Sequence, residues 1–259
     1  MNERAGRCAI AIMAKAPDAG RVKTRLLPLL RPDEARELSA CFLRDMTQML
    51  VVVGGAASVD GYIAFTPAGS EASFAPIVAP GTQFVLADGA IDGPSSIAGL
   101  GRSLLHAARG LFARGYGTVG LLNADSPNLP AALIIEAVRL LAQPGDRAVL
   151  GPATDGGYYF IGLKAPHAEL FAGIDWSTAH VTAQTRAAAQ RIGLELAEIA
   201  LWYDVDDPAS LAHLVRDCGE KSDAAPATAA WLERHGIARR LAQANTGPVV
   251  TEHSTAARR

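Results

Sequence analysis

Three cysteines, Cys8, Cys41 and Cys218, are all that the 259 residues contain, and no two of them form a C-x-x-C pair. A structural zinc site or a disulfide scaffold therefore lacks support, and the thiols read as reduced core groups of a cytoplasmic protein. Long apolar runs are missing too. The first, CAIAIMA, covers only Cys8 to Ala14 before Lys15 ends it, too short for a membrane span and without signal-peptide flanks. Neither charge sign dominates: Lys+Arg 24 against Asp+Glu 26 leaves a formal charge of -2, so no strong field draws the chain to nucleic acid or anionic lipid. No H-E-x-x-H motif or G-x-S-x-G nucleophile elbow occurs, and the six histidines are scattered, which leaves zinc proteolysis and serine hydrolysis without their chemistry.

What is present is a well-packed composition, 49% hydrophobic and 19% charged with Gly 25 and Pro 15. That length holds one sizeable α/β core or two small domains. CAIAIMA reads as a buried first strand. A helix is expected over RPDEARELSACFLRDMTQML, where Leu38, Phe42, Met46 and Met49 recur at helical spacing. GYIAFTP and TQFVLADG read as strands, and 100–114 as a helix closed by Gly115 and Gly117. Val119–Leu122 then forms a strand that runs through a polar loop into a helix starting near Pro130. Two strands flank the turn at Asp155, a helix covers TAHVTAQTRAAAQRIG, a strand LELAEIALWYDV, and two short helices follow. Strands alternating with helices predict an α/β fold, a mostly parallel sheet with helices on both faces. No convincing linker or internal repeat interrupts it, so residues 1–242 are expected to form one domain, with 243–259 as a frayed tail.

Four stretches carry chemistry. KAPDAGRVKTRL follows the first strand and holds Lys15, Arg21, Lys23 and Arg25 around Pro17 and Gly20. It is not a Walker loop, because two residues separate Gly20 from Lys23-Thr24, and G-x-G-x-x-G is absent as well. Four cations in eleven residues need solvent or an anion to compensate them, so the loop is either a solvated basic turn or a phosphate site at a strand C-terminus. In LLNADSPNLP, Asp125 leaves an apolar strand at that same edge; it either holds Mg²⁺ or satisfies turn N–H groups. GPATDGGYYF gives a tight turn at Asp155-Gly156-Gly157, which is a complete explanation as a hairpin. The glycines would equally admit a ligand against the backbone, with Tyr158 or Tyr159 walling it. In LWYDVDDPASL, Asp207 is a natural N-cap before Pro208. That leaves Asp204 and Asp206 unexplained, and Asp206 is the candidate second metal ligand.

Taken in order, MAKAPDAGRVKTRL, NADSPNLP, GPATDGGYYFIGL, IDWSTAHV and YDVDDPASL resemble the small nucleotide-diphospho-sugar-transferase-like proteins of GT-A-like fold, which are related to phospholactate guanylyltransferases and molybdenum-cofactor nucleotidyltransferases. The resemblance implies a nucleotide-phosphate cradle from Lys15, Gly20, Arg21, Lys23 and Arg25, with Arg102 also on the nucleotide. It implies Mg²⁺, or Mn²⁺ in its place, at Asp125 and Asp206. Asp155, Gly156, Gly157, Tyr158, Trp176, Ser177 and Thr178 would line the acceptor side. Two departures stand out: Asn123-Ala124 replaces the usual glycine-serine or glycine-threonine, and GLGR replaces D-L-G-x-R before the 100–114 helix. Sugar-nucleotide transferases of this type commonly carry D-x-D at the metal, and NADSP is not D-x-D, which favours nucleotidyl over glycosyl transfer.

The expected enzyme is thus a transferase moving a nucleoside monophosphate from an NTP to a small phosphate- or phosphonate-bearing acceptor, with Lys23, Arg25, Asp125 and Asp206 as its catalytic groups. The alternatives are a glycosyltransferase with a nucleotide-sugar donor and a non-catalytic nucleotide-binding protein. The expected partners are small molecules, not nucleic acid or membrane, and the chain is a monomer or a homodimer.

Overall fold

The protein is described by a computed structural model covering residues 3–245 apart from 19, 21, 28 and 222. Among the described residues seven strands form one sheet: β1 (Cys8–Lys15), β2 (Val59–Thr66), β3 (Gln83–Leu86), β4 (Thr118–Leu122), β5 (Arg147–Pro152), β6 (Tyr158–Leu163) and β7 (Glu195–Glu198). Their order is β3-β2-β1-β4-β6-β5-β7. Every pairing is parallel except the two that β6 makes, with β4 and with β5. The antiparallel strand follows from the short Asp155-Gly156-Gly157 connection, since a hairpin needs only a few residues whereas a parallel return needs a crossover.

Helices cover both faces: α1 (Pro32–Ala56), α2 (Glu71–Phe74), α3 (Gly99–Ala113), α4 (Ala131–Leu141), α5 (Val181–Arg191), α6 (Pro208–Glu220), α7 (Pro226–Arg234) and α8 (Ile237–Asn245). Strand alternation divides the sheet's side chains between two buried clusters. Ala9, Ala11, Tyr62 and Leu121 pack with α3, and Ile10, Ile12, Ile63 and Leu122 pack with α1 and α4. A third cluster joins Leu26, Phe42, Val205, Leu211 and Trp231, and so anchors the loop after β1 to the start of α6.

Several boundaries differ from the sequence reading. Helix α1 continues six residues past Leu50, through Gly54-Gly55, because Leu50 and Val53 remain buried against the sheet and outweigh the glycine propensity cost. Strand β7 is only four residues long, and the chain beyond it meets the sheet again through a single bridge between Ala153 and Trp202. Thr178–His180 are turn rather than helix, with His180 as the N-cap of α5. Helix α8 continues through Asn245, past the expected boundary at 242; the rest of the expected tail, 246–259, lies outside the described residues. Among the described residues no helix is long and apolar enough to cross a membrane.

Candidate functional site

Strands β1 and β4 are parallel neighbours, with Ile12 opposite Leu122. Their C-terminal ends therefore release the Lys15–Arg25 loop and the Asn123–Asn128 loop side by side. Gly20 takes φ 74 and Lys23 takes φ 50, both left-handed, so the loop folds back on itself before the short turn Thr24–Leu26. The Lys23 side chain is only 4% exposed. Its ammonium lies 2.5 Å from Asp125 Oδ1 and 3.5 Å from Asp206 Oδ1, donates to the Val205 carbonyl at 2.6 Å, and sits 4.7 Å above the Phe42 ring. Three oxygens thus face the three donors of one ammonium.

The two expected acids, 81 positions apart in sequence, come together around this cation. Both lie within reach of one Nζ, which puts their Oδ1 atoms within about 6 Å of each other. Backbone bonding closes that separation: the Val205 N–H donates to the Asp125 carbonyl at 2.8 Å, and Ser126 Oγ donates to the Tyr203 carbonyl at 3.0 Å. Asp207 caps α6 through the Ser210 N–H at 2.8 Å, leaving Asp206 free to face Lys23 and, at 3.8 Å, Arg25 Nη1. Burial and the neighbouring Asp125 charge raise the Asp206 carboxyl above its ordinary range, with Lys23 and Arg25 opposing the shift.

Sequence reasoning left Asp204 without a role, and the structure gives it one. Its Oδ1 accepts from Asn123 Nδ2 at 2.5 Å and from Ser126 Oγ at 2.8 Å. Burial first, and then the Asp125 charge, push its carboxyl up to about 6 against these two bonds. Asn123 also accepts the Asp125 N–H, at 3.3 Å. The unusual Asn123-Ala124 pair therefore has a local reason: Asn123 ties the strand end to Asp204 and shapes the turn that presents Asp125. Asp204 and Asp206, the two acids that the Asp207 cap leaves unexplained, were the sequence signal; the partners holding Asp204 were not legible.

A cavity of about 310 Å³ opens at this point, and Lys15, Lys23, Arg25, Ser39, Asp125 and Asp206 are among the residues that line it. Arg25, with a side chain 70% exposed, and Lys15 are its accessible cations, while Lys23 is turned inward onto the acids. Arg21 lies outside the described residues. Arg102 does not line this cavity; it is exposed and reaches the Gly89 carbonyl at 3.3 Å.

The remaining expected residues form a second group around the β5–β6 hairpin. Asp155 is exposed, and its Oδ1 accepts the Gly157 N–H at 2.8 Å. Gly156 has φ 89, and a Cβ there would lie 2.3 Å from the Ala179 carbonyl oxygen. Only glycine lets the 174–180 loop cross so closely. Thr182 fixes that crossing by donating to the Gly156 and Gly157 carbonyls. Trp176 lies edge-on to Tyr158, with ring centroids 6.2 Å apart, and covers Gly101, where a Cβ would meet its ring at 2.8 Å. Ser177 adopts φ 64, and Thr178 Oγ1 donates to the Asp175 carbonyl. Tyr159 faces the opposite cluster and is fully buried, as strand alternation requires. Tyr158 Oη and Trp176 Nε1 are buried without hydrogen-bond partners among the described residues. Asp155 is near enough to raise the Asp204 carboxyl, which connects the hairpin to the acid cluster.

Among the described residues no group of three or more His, Cys, Asp or Glu side chains is arranged to hold a metal ion. A divalent ion between Asp125 and Asp206 would draw its other ligands from phosphates and water, as Mg²⁺ commonly does.

Residues 49–178 match the sequence profile of a family called "Uncharacterized protein conserved in bacteria (DUF2064)". The chain belongs to this family. A provisionally assigned nucleotide-diphospho-sugar transferase from Desulfovibrio desulfuricans G20 is 31% identical, over 90% of this chain and 97% of that one, with a TM-score of 0.77. The DUF2064 match contains Asp125 and Asp155 but neither the Lys15–Arg25 loop nor Asp206; the Desulfovibrio relative extends the likeness to 90% of the chain. CMP:2-keto-3-deoxy-manno-octonic acid synthetase complexed with CTP shares the fold at TM-score 0.52 and 12% identity, over 83% of this chain and 99% of that one. A cytidylyltransferase from Leptospira borgpetersenii serovar Hardjo-bovis does so at the same score and identity, over 91% and 96%. The fold is GT-A-like, a mixed, mostly parallel sheet flanked by helices. No curated protein is significantly similar in sequence.

Proposed function

We propose that the protein is a nucleotidyltransferase that moves a nucleoside monophosphate from an NTP to a small phosphate- or phosphonate-bearing acceptor and releases pyrophosphate. One observation carries this reading: at the C-terminal edge of β1 and β4, a cationic loop and two carboxylates from distant parts of the chain share one 310 Å³ cavity. Ligands of open α/β sheets bind at this edge. The two fold relatives named for cytidylyl transfer and CMP-sugar acid synthesis have the same architecture.

In this reading an acceptor oxyanion attacks the α-phosphorus. A new P–O bond forms as the bond to the bridging oxygen breaks, and pyrophosphate leaves with that electron pair. Arg25 and Lys15, the exposed cations of the loop, offset charge on the phosphoryl oxygens. Lys23 holds Asp125 and Asp206 together and keeps their charges from driving the site open. The acid pair offers a divalent cation hard carboxylate oxygens, with one net negative charge left after Lys23 is counted. Mg²⁺ or Mn²⁺, when bound to Asp125 and Asp206, would supply charge neutralisation for the phosphates. An ionised acceptor needs no protein base; for a hydroxyl acceptor, exposed Asp155 is the first candidate base. The 174–180 loop, held on Gly156, would border the acceptor.

The name of the 31% identical relative favours a second reading, glycosyl transfer from a nucleotide sugar. A donor screen with Mg²⁺ and phosphorylated acceptors separates the two. Pyrophosphate from an NTP supports nucleotidyl transfer. Free nucleoside diphosphate from a UDP- or GDP-sugar would replace it with glycosyl transfer, and nucleotide binding with neither product would leave a sensor.

A further inference from the structure

The Lys23 ammonium stands on the ground between Asp125 and Asp206 that a divalent cation shared by these acids would need. It lies 2.5 Å from Asp125 Oδ1 and 3.5 Å from Asp206 Oδ1, and its side chain is only 4% exposed. It also donates to the Val205 carbonyl at 2.6 Å and lies 4.7 Å from the Phe42 ring centroid. A divalent ion bound to Asp125 Oδ1 at about 2.0–2.1 Å would stand within about 5 Å of Nζ. Both cations would then draw on the same two carboxylates and repel each other at short range. Lys23 already offsets one of the two negative charges, and Arg25 Nη1, 3.8 Å from Asp206 Oδ2, offsets part of the other. With Lys23 in place the acid pair is a weak site for a second cation.

Lys23 has somewhere else to go. Its side chain lines the 310 Å³ cavity together with Lys15, Thr24 and Arg25. Rotation about the flexible four-carbon stem would carry the ammonium off the acids and into the space assigned to phosphates. Its backbone is left-handed at φ 50, a conformation that costs a residue with a side chain free energy and is found where a functional contact holds it.

We infer that Lys23 is an exchangeable counterion of the acid pair: it neutralises Asp125 and Asp206 until a divalent cation takes them, and then passes to the phosphate oxygens of the nucleotide. This rests on the reading of the acids as a metal and phosphate site. An ammonium that leaves two carboxylates and a carbonyl needs new acceptors, which a triphosphate supplies. A divalent cation alone must displace Lys23 without giving it that replacement, so metal and nucleotide favour each other's binding.

Calorimetric titration of the full chain with Mn²⁺, without nucleotide, tests this. Lys23→Met should bind Mn²⁺ roughly tenfold more tightly than the parent, because the competing charge is gone. Adding Asp206→Asn to that variant should abolish the gain. A lysine that only braces the acids predicts the reverse, weaker binding once it is removed. Brief acetylation of the parent, mapped by mass spectrometry, remains informative if Lys23→Met does not fold. Saturating Mn²⁺ should raise labelling of Lys23 several-fold and leave exposed Lys221 unchanged. Equal or weaker Mn²⁺ binding by Lys23→Met, a gain that survives Asp206→Asn, or Lys23 labelling that does not rise while Mn²⁺ binds overturns the exchange and leaves the metal site standing. No Mn²⁺ binding at millimolar concentration, in parent or variant, removes the metal site and the exchange together.

Discussion

Replacing Lys23 by Met and Asp125 by Asn, singly and together, measures how the buried ammonium and its acids depend on one another. At about 4 Å and an effective dielectric of about 20, each ion pair is worth about 4 kcal/mol before desolvation. Burying the ammonium, whose side chain is 4% exposed, offsets several kcal/mol of that. The acids are 37% and 39% exposed, so solvent screens their share further. What survives is a net coupling of about 1–2 kcal/mol. Lys23→Met leaves two carboxylates facing each other within about 6 Å with only the exposed Arg25 beside Asp206 as counterion, and Asp125→Asn leaves the ammonium half-compensated. The double variant removes both problems and should be more stable than the sum of the single losses by about 1 kcal/mol. Urea unfolding at pH 7 reads the cycle. Additivity within about 0.3 kcal/mol would refute the claim that these side chains act as a unit.

Asp125→Asn and Asp206→Asn should each cut pyrophosphate release by about a hundredfold or more while urea unfolding stays cooperative, because each removes one carboxylate from the phosphate site. Arg25→Ala should raise the apparent nucleotide Kd by roughly tenfold, read by calorimetry, with little change in Tm, since that side chain is 70% exposed. Gly156→Ala should cost about 2–3 kcal/mol of stability by pushing a Cβ into the Ala179 carbonyl at a positive φ, checked by thermal unfolding. The Arg7 guanidinium and the Tyr116 hydroxyl hold the Asp60 carboxyl below its ordinary value. The unfolded state then binds more protons, so this contribution is present above about pH 4 and lost as pH falls through the depressed value. Asp60→Asn should therefore lose about 1 kcal/mol at pH 7 and show a shallower acid decline than the parent.

The elements that position the site were the most legible in the sequence. CAIAIMA and TVGLL are short apolar runs ended by charge or polar turns, and their pattern alone locates β1 and β4. Asp207 before Pro208 reads as a helix cap, which by subtraction draws attention to Asp206. What the sequence does not contain is the direction of a long side chain. Lys23 looks like one more loop cation, yet its left-handed backbone and the Phe42 ring direct it onto Asp125 and Asp206. The hydrogen bonds from Asn123 and Ser126 to Asp204 span 81 and 78 positions, and no local pattern encodes them. Helix α1 outlasted its glycine pair for a similar reason, since tertiary burial decided against local propensity.

The most direct test is a crystal structure with a non-hydrolysable NTP analogue and Mg²⁺. The triphosphate should lie in the 310 Å³ cavity, with its α-phosphate between the Lys15–Arg25 loop and the Asp125–Asp206 pair and with Arg25 on a phosphoryl oxygen. A triphosphate seated elsewhere, or Asp125 and Asp206 carboxylates more than about 8 Å apart in the nucleotide-bound state, would contradict a shared phosphate and metal site, because Mg–O bonds are only about 2.0–2.1 Å long.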